Sequence, residues 1–551
     1  MGLVAKKIEL SSNKLESFFQ FPKSYWDSIN SELFPKELQN ILKILHKDFE
    51  PQRKVLLSAR LEKQKQYDQG QVPAYLSKNS IALTGDWKVA PLPDILKKRR
   101  VEITGPAHST KMVIQMLSPN DEGAIADTAM IDFEDSLKPD FENVLNGYKN
   151  VIGAVNKNLY YENVISDKQI KVYKLNPNKM AFPMVRVRGL HLDESNILID
   201  DVPIAAGLLD LAVCFFHTAK NYINQGLPPK YYVPKCEDFL EARWWNDLFI
   251  ALQEKCSIPR GTLRATFLIE TLPAAFQIEE ILYEIREHAA ALNVGRWDKI
   301  FSDIKICKNH QDCIFPDRSS ITMKSTWMEN YAKRIIKICH KRGALAIGGM
   351  AAFTPGSTAE IRKEQTSKVV VDKNREFELG HDGCWVSHPY FIGCAITCFK
   401  KNNQLDVMLE NFPINPDLLP SLTNGLKGPK TLNGLRTNIR VGIAYVNGLL
   451  NGQGCISLDY LMEDLATLEI SRSQVWQWLK QGVELDSGEV VDKVLVTKLF
   501  DEEYKKLNEE FSIIEKAKID ALAFYLEKDF RAFLTTKSAT KSETKSEKIL
   551  E

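Results

Sequence analysis

The sequence lacks a net charge of either sign. Its 551 residues carry 72 Lys and Arg against 71 Asp and Glu, which leaves a formal net charge of +1. Such a chain has no global positive field of the kind that non-specific nucleic-acid binding or acidic-membrane binding requires. We therefore expect no nucleic-acid partner and no membrane partner. Any anion that binds must be attracted by a local group of cations, backbone amides or metal.

The sequence also lacks the signals of an exported or membrane protein. The start, MGLVAKKIEL, has no apolar core of the length that a secretory signal needs. No segment approaches the roughly 18 apolar residues of a membrane span. The ten cysteines are scattered without a CxxC pair, and the chain ends in Ile549, Leu550 and Glu551 rather than in the peroxisomal Ser-Lys-Leu. These absences predict a protein of the reducing cytoplasm.

Apolar and β-branched runs alternate with amphipathic segments through the middle of the chain. The runs are VEITGP (101–106), TAMIDFED (128–135), FPMVRVRG (182–189), KYYVPKCE (230–237), RATFLIET (264–271), ALNVGRWD (291–298), ALAIGGM (344–350) and CWVSHP (384–389). Segments between them, such as LPAAFQIEEILYEIREHAA, place their apolar residues on one helical face. Eight such alternations predict an α/β fold, a (β/α)8 TIM barrel. IFSDIKI (300–306) is a competing choice for the sixth strand.

Helical patterns flank the predicted barrel. LQNILKILHKDF predicts a helix that PQRKVLLSAR continues after a proline break, and LRTNIRVGIAYVNGLL, SRSQVWQWLK and 500–533 predict helices near the C-terminus. The last stretch, TTKSATKSETKSEK, has nothing to bury. We predict an N-terminal helical region (1–97), the barrel (98–400), a C-terminal helical domain (401–534) and a disordered tail (535–551).

Polar side chains stand where the predicted strands end, the place where barrels of this kind build their sites. They are Glu134, Asp135, Arg186, Arg188, Glu237, Glu270 and Asp298. Each acid alone is also explained as the N-cap of the next helix, and each arginine as half of a structural ion pair. Several carboxylates at one rim need a cation, because close like charges raise one another's pKa. Mg²⁺, which takes one or two carboxylates, is the obvious ion.

Other polar clusters have weaker interpretations. Cys307, His310 and Cys313 form a C-x2-H-x2-C cluster, but no second pair lies at the spacing of a zinc finger or ribbon. Cys384 begins the eighth run and is placed to face the rim, although a lone cysteine without a base is weak evidence for a nucleophile. Trp476 and Trp478 are expected to pack between helices.

With these residues identified, a series of strings resembles the malate synthase A family. They are DWKVAPLP with RRVEITGP, MIDFEDS, VRVRGLHL, YVPKCED, LEARWWNDLF, FLIETLPAAF, NVGRWDKIFS, GGMAAF, GHDGCWVSHP and LMEDLATLEISRSQVWQW. The strings follow the family order and span about residues 35 to 530. One such string matches easily by chance, whereas the whole series does not.

The resemblance implies a TIM barrel with an N-terminal helical clasp and a C-terminal helical domain. It implies an acyltransferase of the glyoxylate cycle that condenses acetyl-CoA with glyoxylate and water to give malate and CoA. Carried onto matching positions, it implies that Glu270 and Asp298 ligate Mg²⁺ and that Arg186 lies against the reacting oxygens. Asp464, in LMED, would be the catalytic base.

The resemblance also implies how substrates are held. The backbone amides of Gly295, Arg296 and Trp297 would bind the glyoxylate carboxylate, and Glu134 and Asp135 would line the metal site. Pro389 would contact CoA.

Two other functions remain open. A CoA-ester lyase, which cleaves malyl-CoA or citramalyl-CoA without hydrolysing it, uses the same barrel, but such lyases look shorter and lack the LMEDLATLEISR segment. A non-catalytic scaffold could bind only CoA or a partner protein, against which stands the retention of Arg186, Glu270, Asp298 and Asp464. The sequence leaves the oligomeric state open.

Overall fold

The computed structural model describes residues 19–25, 28–76, 80–166, 169–420 and 426–535. The predicted disordered tail therefore lies outside the described residues, apart from Thr535. Within the described part of the chain, no helix is long and apolar enough to cross a membrane.

Eight parallel strands close into a barrel in which neighbours in the sheet are neighbours along the chain. The strands are Val101–Pro106, Thr128–Asp132, Phe182–Arg186, Lys230–Val233, Arg264–Ile269, Ala289–Val294, Leu345–Ala351 and Gly383–Val386. The last strand pairs with the first, with Cys384 opposite Val101. Closure removes the free edges of the sheet. The predicted (β/α)8 barrel is confirmed.

Helices follow the strands around the barrel. They are Thr110–Leu117, Phe141–Val155, Ala206–Asn224, Phe239–Lys255, Leu272–Ala275, Ile278–Glu284, Trp297–Cys307, Thr326–Arg342, Ala359–Leu379 and Ile392–Cys398, with 3-10 turns at Arg318–Ser320 and Pro389–Phe391. The competing sixth strand, IFSDIKI, lies inside helix Trp297–Cys307. Its buried Ile300, Ile304 and Cys307 recur at helical spacing. Asp298 therefore lies in the first turn of a helix, and the prediction that it ends a strand is wrong.

The long N-terminal helix is continuous, where the sequence predicted two helical segments separated by a break. Lys36–Asp68 continues through Pro51, where a break was expected. Pro51 has no N–H to donate to the preceding turn, and contacts with the barrel flank it on both sides. Arg53 Nε donates to the Leu190 carbonyl at 2.8 Å, and Trp244 Nε1 donates to the Phe49 carbonyl at 3.0 Å. The helix is thus held along the outside of the barrel on both sides of the proline.

Smaller elements complete the described chain. The remaining N-terminal elements are Phe19–Gln20, Lys23–Tyr25, Ser28–Leu33, Ile81–Thr84 and Asp94–Lys97. Two hairpins extend from the barrel, Tyr160–Ser166 with Gln169–Lys174 and Asp193–Ile199 with Val202–Ala205. Neither hairpin was predicted from the sequence.

Residues 426–535, the described part of the C-terminal domain after the gap at 421–425, form four helices and a hairpin. The helices are Leu432–Leu450, Leu465–Gln481, Lys493–Glu510 and Glu515–Tyr525, and the hairpin is Ile456–Leu458 with Leu461–Glu463. Helix Leu465–Gln481 docks on the barrel through its side chains. Gln477 Nε2 donates to the Cys313 carbonyl and Trp478 Nε1 to the Phe315 carbonyl, both at 2.8 Å. The prediction that Trp478 packs between helices is confirmed. The exact domain boundaries remain predictions.

A buried ion pair fills the interior of the barrel below the site. Arg99 and Glu102 are each 1% exposed, and Arg99 Nε donates to Glu102 Oε1 at 2.6 Å. Arg99 also donates to Thr266 Oγ1 and to the Tyr232 hydroxyl, both at 2.9 Å. Trp385 Nε1 donates to the second oxygen of Glu102 at 3.0 Å. Satisfied hydrogen bonds make a buried charge pair tolerable, so the barrel has a closed polar floor.

Gly383 is a position where the barrel should tolerate no side chain. A Cβ atom there would lie 1.7 Å from the Arg99 carbonyl oxygen, which belongs to the neighbouring backbone and cannot move aside. We expect Gly383→Ala to lower the free energy of unfolding by more than about 4 kcal/mol or to prevent folding. At Gly393, inside a helix, the nearest atom to a new Cβ is the Glu122 carboxylate at 3.3 Å. Gly393→Ala should stay within about 1 kcal/mol of wild type in the same denaturant titration, and equal losses in both variants would contradict the prediction.

Candidate active site

A cavity of about 40 Å³, here called the substrate cavity, lies at the carboxyl ends of the barrel strands. Its walls contain all of the predicted site residues except Glu134 and Pro389: Asp135, Arg186, Glu270, Gly295, Arg296, Trp297, Asp298 and Asp464. One water molecule needs about 10–15 Å³ measured in this way. The cavity therefore admits a molecule of a few heavy atoms.

Arg186 is fixed by a carboxylate that the sequence analysis missed. Its Nε and Nη2 atoms donate to the two oxygens of Asp132, each at 2.6 Å, and its Nη1 donates to Asp135 Oδ2 at 3.2 Å. The guanidinium is therefore both half of a structural ion pair and part of the cavity wall. Asp132 lies two residues before Glu134 in MIDFED. Side chains two positions apart in a strand point to the same face, so this spacing could have identified Asp132 from the sequence.

Lys235 is the second residue that the sequence analysis missed. Its Nζ lies 2.6 Å from Glu134 Oε1, 2.8 Å from Asp135 Oδ1 and 3.1 Å from Asp298 Oδ1. Its backbone N–H donates to Glu270 Oε1 at 2.7 Å. The backbone of Lys235 has φ 52°, in the left-handed region, and such strained residues cluster at functional sites. One residue thus touches four of the acids at this rim.

Two of the predicted strand-end residues point elsewhere. Glu237 accepts a hydrogen bond from Lys305 Nζ at 2.9 Å. Arg188 donates to Asp210 and to Glu194, each at 2.8 Å. Both residues form structural ion pairs outside the substrate cavity. A structural ion pair was the alternative to a role in the site.

The acids around the cavity differ in proton affinity. Burial raises the pKa of Glu270 to about 7, and burial together with the Asp135 carboxylate raises the pKa of Asp298 well above its usual range. Asp135 behaves oppositely. Although burial alone would raise its pKa, Lys235 and Arg186 hold it well below the usual range. Titratable groups whose pKa values are pushed apart are typical of acid–base sites.

Asp464 reaches the cavity from the C-terminal domain as the N-cap of helix Leu465–Gln481. Its Oδ1 accepts a hydrogen bond from the Thr467 N–H at 3.2 Å, and its own N–H donates to Thr467 Oγ1 at 2.9 Å. The Leu465 N–H donates to the Asp135 carbonyl at 3.3 Å, which ties this helix end to the barrel. Burial raises the pKa of Asp464 to about 7, and Asp135 adds to the effect. The cap fixes a carboxylate whose pKa suits a base near neutral pH.

The helix that begins at Trp297 presents its N-terminus to the same cavity. The first N–H groups of a helix have no partner within the helix, and they suit a bound carboxylate. Gly295 is required just before this helix, because a Cβ there would lie 2.5 Å from the Cβ of Glu270. The buried Arg296 Nε and Trp297 Nε1 atoms donate no hydrogen bond to any of the described residues.

Glu270 and Asp298 fit a magnesium site. Mg²⁺ usually takes one or two carboxylates and completes its shell with water and substrate oxygens. Asp298 Oδ1 is buried without a hydrogen bond, although it lies within ion-pair distance of Lys235. The residues that the structure describes contain no larger group of three or more His, Cys, Asp or Glu arranged to hold a metal. The zinc interpretation of Cys307, His310 and Cys313 thus gains no support.

Cys384 does not face the rim as expected. It is fully buried, and its Sγ donates to the Arg100 carbonyl at 3.4 Å, at the opposite end of the barrel from the substrate cavity. The strand is short, Gly383–Val386, and its first residues lie at the amino-terminal end.

A larger cleft of about 770 Å³ lies beside the substrate cavity and shares Thr104 with it. Pro389 forms part of its wall. Three cationic side chains, Lys171, Lys174 and Arg362, also line the cleft.

A (β/α)8 barrel with an acidic site covered by a C-terminal helical domain is the class of protein that this geometry defines. Models of the malate synthase N-terminal, TIM-barrel and C-terminal domains match residues 29–80, 183–419 and 429–541. The chain is 40% identical to malate synthase A of Escherichia coli (strain K12) over 496 residues, which cover 89% of this chain and 90% of that protein. The chain belongs to the malate synthase family.

A second relative agrees with this assignment. The glyoxysomal malate synthase of Candida tropicalis is 43% identical over 488 residues, which cover 86% of each chain. Among solved structures, a Haloferax volcanii malate synthase pyruvate/acetyl-CoA ternary complex aligns with 76% of this chain and 98% of its own, at a TM-score of 0.43 and 11% identity.

Lys235 provides a test of the electrostatics at the rim. Removing one partner of a buried ion pair leaves an uncompensated charge and typically costs about 3–5 kcal/mol. We expect Lys235→Met to lower the free energy of unfolding by about this amount, measured by urea titration in Mg²⁺-free buffer. Lys97 pairs with Asp94 at the surface, at 2.7 Å with both side chains exposed, so Lys97→Met should cost less than about 1 kcal/mol. Equal stabilities of the two variants would contradict the prediction.

Proposed function

We propose that this chain condenses the acetyl group of acetyl-CoA with glyoxylate and hydrolyses the product, malyl-CoA, to malate and CoA. The observation that carries the proposal is the placement of Asp464. This buried carboxylate, with a pKa raised to about 7, shares a small cavity with Arg186, Glu270 and Asp298.

The first step, removal of a proton from the acetyl methyl group, requires a base and a cation. The methyl group of an acetyl thioester is a weak carbon acid, so a carboxylate base needs a raised pKa, and the enolate oxygen needs a positive partner. Asp464 supplies the base. Arg186 supplies the cation, and because Asp132 already holds its Nε and Nη2 atoms, its position needs no reorganisation during the reaction.

Glyoxylate is bound at the start of helix Trp297–Cys307. Its carboxylate accepts hydrogen bonds from the backbone amides of Gly295, Arg296 and Trp297, where the helix dipole favours an anion. Glu270 and Asp298 would hold Mg²⁺, and the bound ion would supply Lewis-acid polarisation of the glyoxylate aldehyde. Glu134 and Asp135 keep Lys235 beside Asp298, so that the acids of this rim remain close despite their charges.

CoA occupies the cleft that contains Pro389. The cleft is large enough for a ligand of cofactor size, and Lys171, Lys174 and Arg362 offer positive charge to phosphate groups. The cleft and the substrate cavity share Thr104, so the proposal requires the thioester end of CoA to pass this residue to reach Asp464.

A CoA-ester lyase would use most of the same residues, so hydrolysis decides between the two activities. Purified protein given acetyl-CoA and glyoxylate should release free thiol and malate in the presence of Mg²⁺ and should release neither with a chelator. A lyase would form malyl-CoA without free thiol. A non-catalytic scaffold would consume no acetyl-CoA.

Asp464→Asn tests the base. The Asn side chain can still cap Thr467, so the variant should fold and bind glyoxylate and Mg²⁺, but turnover should fall about 10²–10⁴-fold, because general base catalysis contributes this much. Asp492→Asn is the matched control, since Asp492 caps helix Lys493–Glu510 by accepting a hydrogen bond from the Leu495 N–H at 2.7 Å and does not line the substrate cavity. An Asp464→Asn variant with more than about a tenth of wild-type turnover would rule out this residue as the base.

Glu270→Gln tests the metal site. The change keeps the size of the side chain and removes its charge, so Mg²⁺ and glyoxylate should both bind more weakly while CoA binding changes little. If both ligands meet on one ion, each must improve the affinity of the other by the same factor. Titration calorimetry of glyoxylate with Mg²⁺ and again with chelator measures this coupling. Equal glyoxylate affinities under both conditions, or an unchanged Mg²⁺ requirement in the variant, would place the metal elsewhere.

A further inference from the structure

A second, smaller cavity lies behind the acidic rim. It has a volume of about 30 Å³ and shares Asp135 and Asp298 with the substrate cavity. Lys235, which pairs with both of these acids, also lines it. We call it the rear cavity. Since one water needs about 10–15 Å³, the rear cavity has room for about two water molecules.

Two residues that line the rear cavity have a buried polar atom that makes no hydrogen bond with the described residues. Glu134 lines it and is 6% exposed, and its buried Oε2 atom accepts no hydrogen bond from the described residues, although Arg186 Nη1 lies 3.4 Å away. His191 lines it as well, and its buried Nδ1 has no hydrogen bond either. Burial and the positive charges of Arg60 and Lys235 lower the pKa of His191 well below its usual range, so its imidazole is neutral. Buried polar groups of this kind are usually satisfied by ordered water.

The end of the described chain forms the outer wall of the rear cavity. The Phe533 ring stacks on His191 with ring centroids 4.4 Å apart. The Leu534 N–H donates to Glu469 Oε1 and the Arg531 carbonyl accepts from Arg472, both at 2.7 Å. Phe533 and Leu534 are 7% and 2% exposed. Phe533 and Thr535 line the rear cavity on this side, and Asp135 and Asp298 line it on the side of the rim.

We propose that the rear cavity supplies the water that hydrolyses the thioester of malyl-CoA. The inference rests on the proposed function, because it concerns the second half of that reaction. The water oxygen forms a bond to the thioester carbonyl carbon and the C–S bond breaks. One proton of the water ends on the CoA sulfur, and the other is released when the new carboxylic acid ionises. A small substrate cavity filled by the condensation product needs such a separate source of water.

Filling the rear cavity tests the proposal. Leu449 lines it, is 1% exposed, lies on helix Leu432–Leu450 and does not line the substrate cavity. Leu449→Phe adds volume there. It should slow the hydrolysis of supplied malyl-CoA, measured as free thiol, by at least about tenfold, a change of 1.4 kcal/mol in the barrier. Acetyl-CoA consumption with glyoxylate should persist in a single turnover, so malyl-CoA should accumulate. Leu449→Met, which conserves volume, should behave like the wild type.

The outcomes separate this inference from the proposed function. Wild-type protein that consumes no acetyl-CoA with glyoxylate would contradict the proposed function. A folded Leu449→Phe variant that condenses normally and hydrolyses malyl-CoA at the wild-type rate would overturn only the role of the rear cavity. If Leu449→Phe does not fold, a crystal structure of the wild type decides. Ordered water bonded to Glu134 Oε2 and His191 Nδ1 supports the proposal, and a dry rear cavity overturns it.

Discussion

The repulsion among carboxylates gathered at one rim of the barrel is the constraint on which the rest of the site depends. Buried like charges raise one another's pKa and oppose folding unless cations lie among them. Arg186, at the end of one strand, and Lys235, just beyond the end of the neighbouring strand, meet this need, and each contacts more than one acid. Carboxylates still outnumber these two cations at the rim, and such an excess of carboxylate oxygens suits a hard divalent ion. We therefore expect the proposed catalysis and the folding stability to depend on the same ion pairs.

The C-terminal domain completes this rim. Helix Leu465–Gln481 begins at Asp464 and packs on helix Trp297–Cys307, whose first turn carries Asp298. Two helix N-termini thus meet at the substrate cavity, one presenting the proposed base and the other its amides. The hydrogen bonds from Gln477 and Trp478 to the barrel loop make the position of the base a consequence of domain docking, so a fragment without this domain would lack it.

The structural and the functional interpretations of a residue turn out to be compatible here. Asp464 caps a helix, and the cap is what orients its carboxylate towards the cavity. Arg186 forms a buried pair with Asp132, and this pair is what holds the guanidinium against the cavity wall. Positioning a reactive group on a rigid element through ordinary structural contacts removes the need to order it during the reaction. Glu237 and Arg188 make similar pairs, but their pairs lie outside the substrate cavity.

The sequence by itself determined the barrel, because eight apolar runs separated by amphipathic segments have few other solutions, and its motifs indicated the family and most of the cavity wall. Only the tertiary structure decided which polar residues meet. Strand alternation predicts side-chain direction only within a strand, and the third barrel strand ends at Arg186, so Arg188 turns away to Asp210. The role of Lys235 follows from a left-handed backbone turn beyond its strand, and the place of Asp464 follows from docking between distant segments. Neither leaves a periodic pattern in the sequence.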